Sequence, residues 1–168
     1  MGVVINIISS CSNVGKTTLI EGIIKELRKK GHSISTIKHD IHGFDIDKEG
    51  KDTWRHRKAG AETVLIASKK RMAVIKELEE EIPIEELVKK VEDSDFIIIE
   101  GYKKSNYKKI EIFRKGISDK IITPKEKLIA IASDENIFIE DIPTIDINNY
   151  SKLAELIESL KDNKNFYN

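Results

Sequence analysis

Two kinds of apolar spacing alternate along the chain. Val3-Val4-Ile5-Asn6-Ile7-Ile8 is a near-continuous β-branched run, the pattern of a strand buried on both faces. A glycine-bearing turn at Gly15 follows. Over residues 18–30, Leu19, Ile20, Ile23, Ile24 and Leu27 then recur at helical spacing, and Gly31 ends that helix. Residues 33–38 read as a second strand and 41–51 as a polar, glycine-containing loop. Asp52 reads as the N-cap of a short helix through Lys58, with Gly60 just past its end. Residues 63–67 and 72–75 flank the polar Ser68-Lys69-Lys70-Arg71 and read as a hairpin or two neighbouring strands. Ile84, Leu87, Val88 and Val91 mark a helix opened by Pro83. Residues 96–99 form a second wholly apolar strand, 109–113 alternate, 128–132 form a third buried strand, and 144–147 a short one. A helix over 153–160 closes the pattern, and the tail from Lys161 reads as frayed.

This order of strand, turn and helix predicts an α/β fold in three layers, a mostly parallel central sheet flanked by helices. A length of 168 residues suits one domain, residues 1–168, with a single sizeable core. Charge changes the picture by subtraction. Lys+Arg and Asp+Glu are 29 each, so no global basicity argues for nucleic acid or an anionic membrane as partner. Cys11 is the one cysteine, which excludes an intrachain disulfide and fits a reducing compartment. No apolar run reaches the roughly 20 residues of a membrane span, and the first run lacks a basic flank and a small-residue cleavage site. A cytoplasmic protein is expected.

The candidate chemistry starts at the first turn. Ser10-Cys11-Ser12-Asn13-Val14-Gly15-Lys16-Thr17 lies between a buried strand and an amphipathic helix and matches G-x-x-x-x-G-K-[ST] at its last three fixed positions. Such a loop wraps backbone N–H groups around an anion, and the helix N-terminus adds partial positive charge. Gly15 lets the backbone approach the ligand, Lys16 supplies an ammonium for the β and γ oxygens, and Thr17 a hydroxyl for magnesium. Ser10 stands where the pattern has its first glycine, and its Cβ is expected to alter the loop's first dihedral slightly.

A magnesium nucleotide also needs carboxylates. Glu100 ends the apolar run 96–99, the arrangement of a Walker B element with Glu in place of Asp. Asp40 follows the second strand, at the carboxyl edge where open α/β sheets bind ligands. The segment 38–47 holds His39, His42 and three aspartates; it is ambiguous as a metal site and reads better as a polar lid over the phosphates. Arg55, His56 and Arg57 bring cations on the next helix, within reach of a nucleotide or pterin phosphate or simply as a charged face. Neither an N-K-x-D element nor an arginine placed to act on the phosphates in cis is visible, and Ala132-Ser133-Asp134 is a weak base-reading candidate.

These residues carry a resemblance. Gly15-Lys16-Thr17-Thr18-Leu19-Ile20-Glu21, Lys38-His39-Asp40, Phe44-Asp45-Ile46-Asp47, Gly50-Lys51-Asp52, Arg55-His56, Ala59-Gly60-Ala61 and Ile99-Glu100-Gly101-Tyr102-Lys103 closely resemble the molybdopterin-guanine dinucleotide biosynthesis protein B family. The resemblance covers residues 3 to about 134. It implies a P-loop NTPase of the signal-recognition and MinD-like class, commonly homodimeric, that binds GTP and hydrolyses it weakly. It further implies a helper of the guanylyltransferase that attaches GMP to molybdopterin, with molybdopterin itself as a second possible contact. By the same resemblance, Gly15, Lys16, Thr17 and Thr18 hold phosphates, Thr17, Asp40 and Glu100 serve Mg2+, and Arg55 with His56 belong to the functional surface. Ser10 and Asn13 depart from the family pattern, which has glycine at both places.

Two other classes compete. An ATP-dependent small-molecule kinase usually closes an Arg-rich lid, whereas residues 102–108 carry lysines and no arginine. A nickel-handling GTPase or a partitioning-type switch is the other, and the single Cys11 without an N-terminal His tract speaks against nickel.

Overall fold

All seven residues of β1 (Val3–Ser9) are buried, as a β-branched run predicts for the middle of a sheet. The computed structural model describes residues 2–162. After β1 come α1 (Lys16–Lys29), β2 (Ile34–Lys38), α2 (Asp52–Lys58), β3 (Thr63–Ala67), β4 (Met72–Lys76) and α3 (Ile84–Lys89). β5 (Phe96–Glu100), β6 (Lys109–Phe113), β7 (Leu128–Ser133), β8 (Thr144–Asp146) and α4 (Tyr150–Ser159) complete the order. The chain divides into two compact units: one runs to His39 and resumes at Ile84, and the other is Asp40–Pro83.

The first unit is a six-stranded sheet in the order β2-β5-β1-β6-β7-β8, every pair parallel. Val3 pairs with Phe96 and Ile7 with Glu100 on one side of β1, and Asn6 pairs with Lys109 on the other. One face of the sheet packs Val3, Ile5 and Ile7 against Leu19, Ile23 and Leu27 of α1 and Leu153 and Ile157 of α4. The opposite face packs Val4, Ile37, Ile97 and Ile99 against Ile84 and Val88 of α3. Each fully buried Ile or Leu contributes about 1.5–3 kcal/mol, so these two clusters are what hold the sheet between its helices. The close approach of α1 to α4 depends on Gly22: a Cβ there would lie 2.4 Å from Cγ of Tyr150.

Lys161, just after α4, is fastened to this unit. Lys161 Nζ donates to Asp95 at 2.8 Å and lies over the Phe96 ring, so the predicted fraying does not begin at Lys161; residues 163–168 lie outside the described residues. Lys161 and the N–H and hydroxyl of Ser33 hold the Asp95 carboxyl far below the ordinary carboxylate range.

The second unit pairs β3 with β4 antiparallel, Thr63 opposite Lys76, as the hairpin reading expects. Lys51, not Asp52, caps α2, and Asp52 is its first helical residue, where a carboxylate still favours the positive end of the helix. Arg57 of α2 reaches Asp45, Asp47 and Glu77 at 3.2, 3.6 and 2.9 Å, fastening the loop 44–47 and the end of β4 to the helix. Much of the hairpin's apolar surface, Leu65, Ile66, Met72 and Val74, is exposed.

Candidate functional site

The turn between β1 and α1 is built by its own residues. Val14 is fully buried and anchors it in the core, while Ser12, Asn13, Thr17 and Thr18 face solvent. Gly15 has φ 91, a left-handed conformation that a Cβ would strain, and α1 begins directly after it. Asn13, at φ 59, takes the left-handed place as the residue type after glycine that tolerates it best. Ser10 is absent from the positive-φ residues, so its Cβ meets no left-handed backbone here. No side chain caps α1, which leaves the first-turn N–H groups to an anion. Lys16 Nζ donates to Ser9 Oγ at 3.0 Å and to the Cys11 carbonyl at 3.4 Å, laying the ammonium across the loop. Burial pulls the Lys16 ammonium below the usual lysine value, and the Glu100 carboxylate works against that pull.

Glu100 ends β5 beside β1, level with Ile7 of β1 and Lys38 of β2. Lys103 then donates from Nζ to the Ser10 carbonyl at 3.1 Å, so this side of the loop carries Lys16, Lys38, Lys103 and Glu100 together. His39 stacks on Tyr102 with ring centroids 4.2 Å apart. The loop bearing Tyr102 and Lys103 is held from beneath by two buried polar residues. Asn6 Nδ2 donates to the Tyr102 carbonyl at 3.0 Å and to Ser105 Oγ at 2.9 Å, and Lys109 Nζ to the carbonyls of Ser105 and Tyr107 at 2.6 and 2.8 Å. Burial, with Lys127 nearby, lowers Lys109 to about 8.

On the other side of β1, the residue after β6 is Arg114. Its Nη1 lies 3.9 Å from where a Cβ on Gly15 would sit, and its Nε donates to Asp134 at 3.0 Å. The other Asp134 oxygen accepts the Lys115 N–H at 2.9 Å, so the weak base-reading candidate is engaged with the protein's own cation. Cys11 Sγ meets the Ile117 carbonyl at 3.4 Å, and Ser118 N–H closes the turn onto the Arg114 carbonyl at 2.8 Å.

The structure thus brings Ser12, Asn13, Val14, Gly15, Lys16, Thr17, Thr18 and Glu100 together in the first unit. Asp40, Arg55 and His56 belong to the second unit, where all three are exposed. Asp40 Oδ1 accepts the His42 N–H at 3.0 Å in a local turn. Arg57, grouped with Arg55 and His56 from the sequence as a phosphate-reaching cation, is instead consumed by the unit's own carboxylates. Among the described residues no group of three or more His, Cys, Asp and Glu side chains forms a metal cage, the His39–His42 segment included. Asn6, Lys109 and Arg114 escape a sequence reading, although a lone Asn inside a β-branched strand is a signal for the first.

A parallel sheet with this turn at the end of its central strand and a carboxylate ending the neighbouring one defines a P-loop NTPase-type α/β fold. The family described as molybdopterin guanine dinucleotide synthesis protein B matches residues 4–134, and the chain belongs to it. It is 37% identical over 155 residues to the molybdopterin-guanine dinucleotide biosynthesis adapter protein of Escherichia coli, covering 87% of this chain and 86% of that one. It is 32% identical over 154 residues to the adapter protein of the same description from Haemophilus influenzae, covering 90% and 86%. A crystal structure of molybdopterin-guanine biosynthesis protein B superposes with TM-score 0.72 at 24% identity, over 94% of this chain and 99% of that one. No helix among the described residues is long and apolar enough to cross a membrane.

Proposed function

We propose that this chain is a cytoplasmic adapter of molybdopterin guanine dinucleotide formation that binds GTP with Mg2+ and assists the guanylyltransferase attaching GMP to molybdopterin. The observation that carries the nucleotide part is the loop itself: Gly15 in the left-handed region, Lys16 laid across the loop, and Glu100 beside it. The function in cofactor assembly is supported by the adapter proteins to which the chain is 37% and 32% identical.

The donor chemistry fits magnesium. Thr17 offers an exposed hydroxyl in the first turn of α1 and Glu100 a carboxylate whose charge is felt at Lys16, both hard oxygen donors of the kind this ion takes alongside phosphate and water. When bound, magnesium neutralises charge between phosphate oxygens. The chain's own groups bind and orient: N–H groups of residues 15–18 and the Lys16 ammonium hold the phosphates, and the N-terminus of α1 favours their charge. Asp40, Arg55 and His56 lie in the second unit, and Arg55 with His56 are assigned to the functional surface; all three are exposed within that unit, as a group that meets a ligand or partner must be. Slow hydrolysis follows from a site without a glutamine that positions water. The exposed apolar side chains of β3 and β4 support a homodimer.

Calorimetric titration with Mg·GTP and Mg·ATP tests the reading. A GTP preference of about tenfold or more, roughly 1.4 kcal/mol, supports it. An ATP preference replaces it with a small-molecule kinase, and the absence of binding to either removes the nucleotide from the account.

A further inference from the structure

The order β5-β1-β6 places the phosphate loop between two strand ends, and each end presents a charged residue: Glu100 closes β5, and Arg114 follows β6. The sides differ in character. Lys16, Lys38 and Lys103 gather with Glu100, the carboxylate proposed for magnesium, on the β5 side. Arg114 stands apart from them, with Nη1 3.9 Å from the Cβ position of Gly15, the residue that opens α1.

Three features distinguish this arginine from an ordinary surface cation. Asp134 takes its Nε at 3.0 Å, which fixes the plane of the guanidinium. The remaining N–H groups have no acceptor among the described residues, so a fork of donors is left over beside Gly15. The turn that carries it is closed and seated: Ser118 Oγ accepts the Arg114 N–H at 3.0 Å, and Ile117 meets Cys11 of the phosphate loop. A planar donor fork held by a carboxylate matches phosphate oxygens in geometry as well as charge.

We propose that Arg114 is a second anion-binding residue of the phosphate loop, donating its guanidinium to the phosphate chain of a bound nucleotide on the side away from Glu100, with Asp134 as its positioning residue. The proposal rests on the nucleotide reading given above. Arg114 lies beside Gly15 rather than beside Glu100, so the proposal assigns it to phosphates that a nucleoside diphosphate and a triphosphate share. Its contribution is therefore the same for both and independent of magnesium.

Titration of GDP, and of GTP with and without magnesium, into wild-type protein, Arg114→Ala, Arg114→Lys, Asp134→Asn, the double variant and Lys16→Ala tests this. Arg114→Ala is expected to weaken both nucleotides by about tenfold and by the same factor with or without magnesium. Asp134→Asn gives a smaller loss and adds nothing in the Arg114→Ala background, which a merely structural carboxylate would not do. Circular dichroism checks folding, and if Arg114→Ala does not fold, Arg114→Lys and Asp134→Asn decide. Affinities within about twofold of wild type in the Arg114 variants, with binding lost in Lys16→Ala, overturn the role of Arg114 and leave the nucleotide reading standing. Unchanged binding in Lys16→Ala overturns both.

Discussion

Lys103 Nζ donates to the backbone oxygen of Ser10 at 3.1 Å, which fastens the loop after β5 to the first turn residue after β1. The loop 10–17 is thereby braced from its β5 side by a side chain far from it in sequence. Lys103→Gln is expected to weaken nucleotide binding roughly two- to fivefold, the size of one exposed charge-assisted bond, and more at low than at high salt. Calorimetry at two ionic strengths checks it; identical affinities at both would assign Lys103 no part in anion binding.

Glu100 is the carboxylate assigned to magnesium. Glu100→Gln is expected to spare metal-free nucleotide binding and to reduce the magnesium-dependent gain by about tenfold. Equal losses with and without magnesium, measured in parallel titrations, would count against a metal role.

Lys109 links loop order to pH. Its ordinary value is 10.5 and the fold lowers it to about 8, so between these values the unfolded chain binds a proton that the folded chain does not. Stability attributable to Lys109 therefore rises with pH from about 8 towards 10.5 and is lowest, and flat, below about 8. Urea unfolding of wild type at pH 7 and at pH 9.5, each against Lys109→Met, should show the wild type gaining on the variant at the higher pH, by about 2 kcal/mol. A difference that does not change with pH would refute the assignment.

Gly22 gives a packing test. Gly22→Ala should gain helix propensity of about 1 kcal/mol yet destabilise the protein by about 1–2 kcal/mol net, because the new Cβ overlaps the Tyr150 ring. In a Tyr150→Ala background the same substitution should become stabilising. Thermal melts of the four proteins of that cycle decide, and a Gly22→Ala protein more stable than wild type would sink the idea.

The hairpin bears on assembly. Val74, 52% exposed on β4, changed to Glu should convert a dimer to a monomer in light scattering with little loss of fold, since no core contact is removed. A wild type that is already monomeric at micromolar concentration would discard the homodimer.

Local signals explain what was legible in the sequence. β1, α1 and the loop between them are one contiguous stretch in which burial, helical spacing and the Gly15-Lys16-Thr17 triplet agree. The alternation in 109–113 is the signature of a half-buried strand, yet β6 lies between β1 and β7, and both Lys109 and Glu111 are buried. Loop backbone compensates them: Glu111 accepts the N–H groups of Ile122 and Thr123 as Lys109 donates to Ser105 and Tyr107. Such compensation comes from residues that are loop by every local criterion, so periodicity cannot register it. Arg114 was hidden for a different reason, because its place beside Gly15 exists only through the parallel pairing of β1 with β6. Arg57 and Arg55 are indistinguishable in the string, and only the position of Asp45, Asp47 and Glu77 around one of them separates structural from available cations.

The pairing of Val3 with Phe96 also sets a clock for synthesis. β1 leaves the ribosome before the other strands of its sheet, and its partners on both sides are encoded some 90 to 100 residues later. At roughly 5–20 residues per second, the most apolar segment of the nascent chain waits roughly 5–20 s with both edges unpaired. The hairpin of β3 and β4, whose strands are neighbours in sequence, is complete before that wait is over. Holdase chaperones would find their substrate in that interval, and slowing translation within 77–95, after the hairpin is made, would lengthen the exposure of β1 while leaving the hairpin's unaffected.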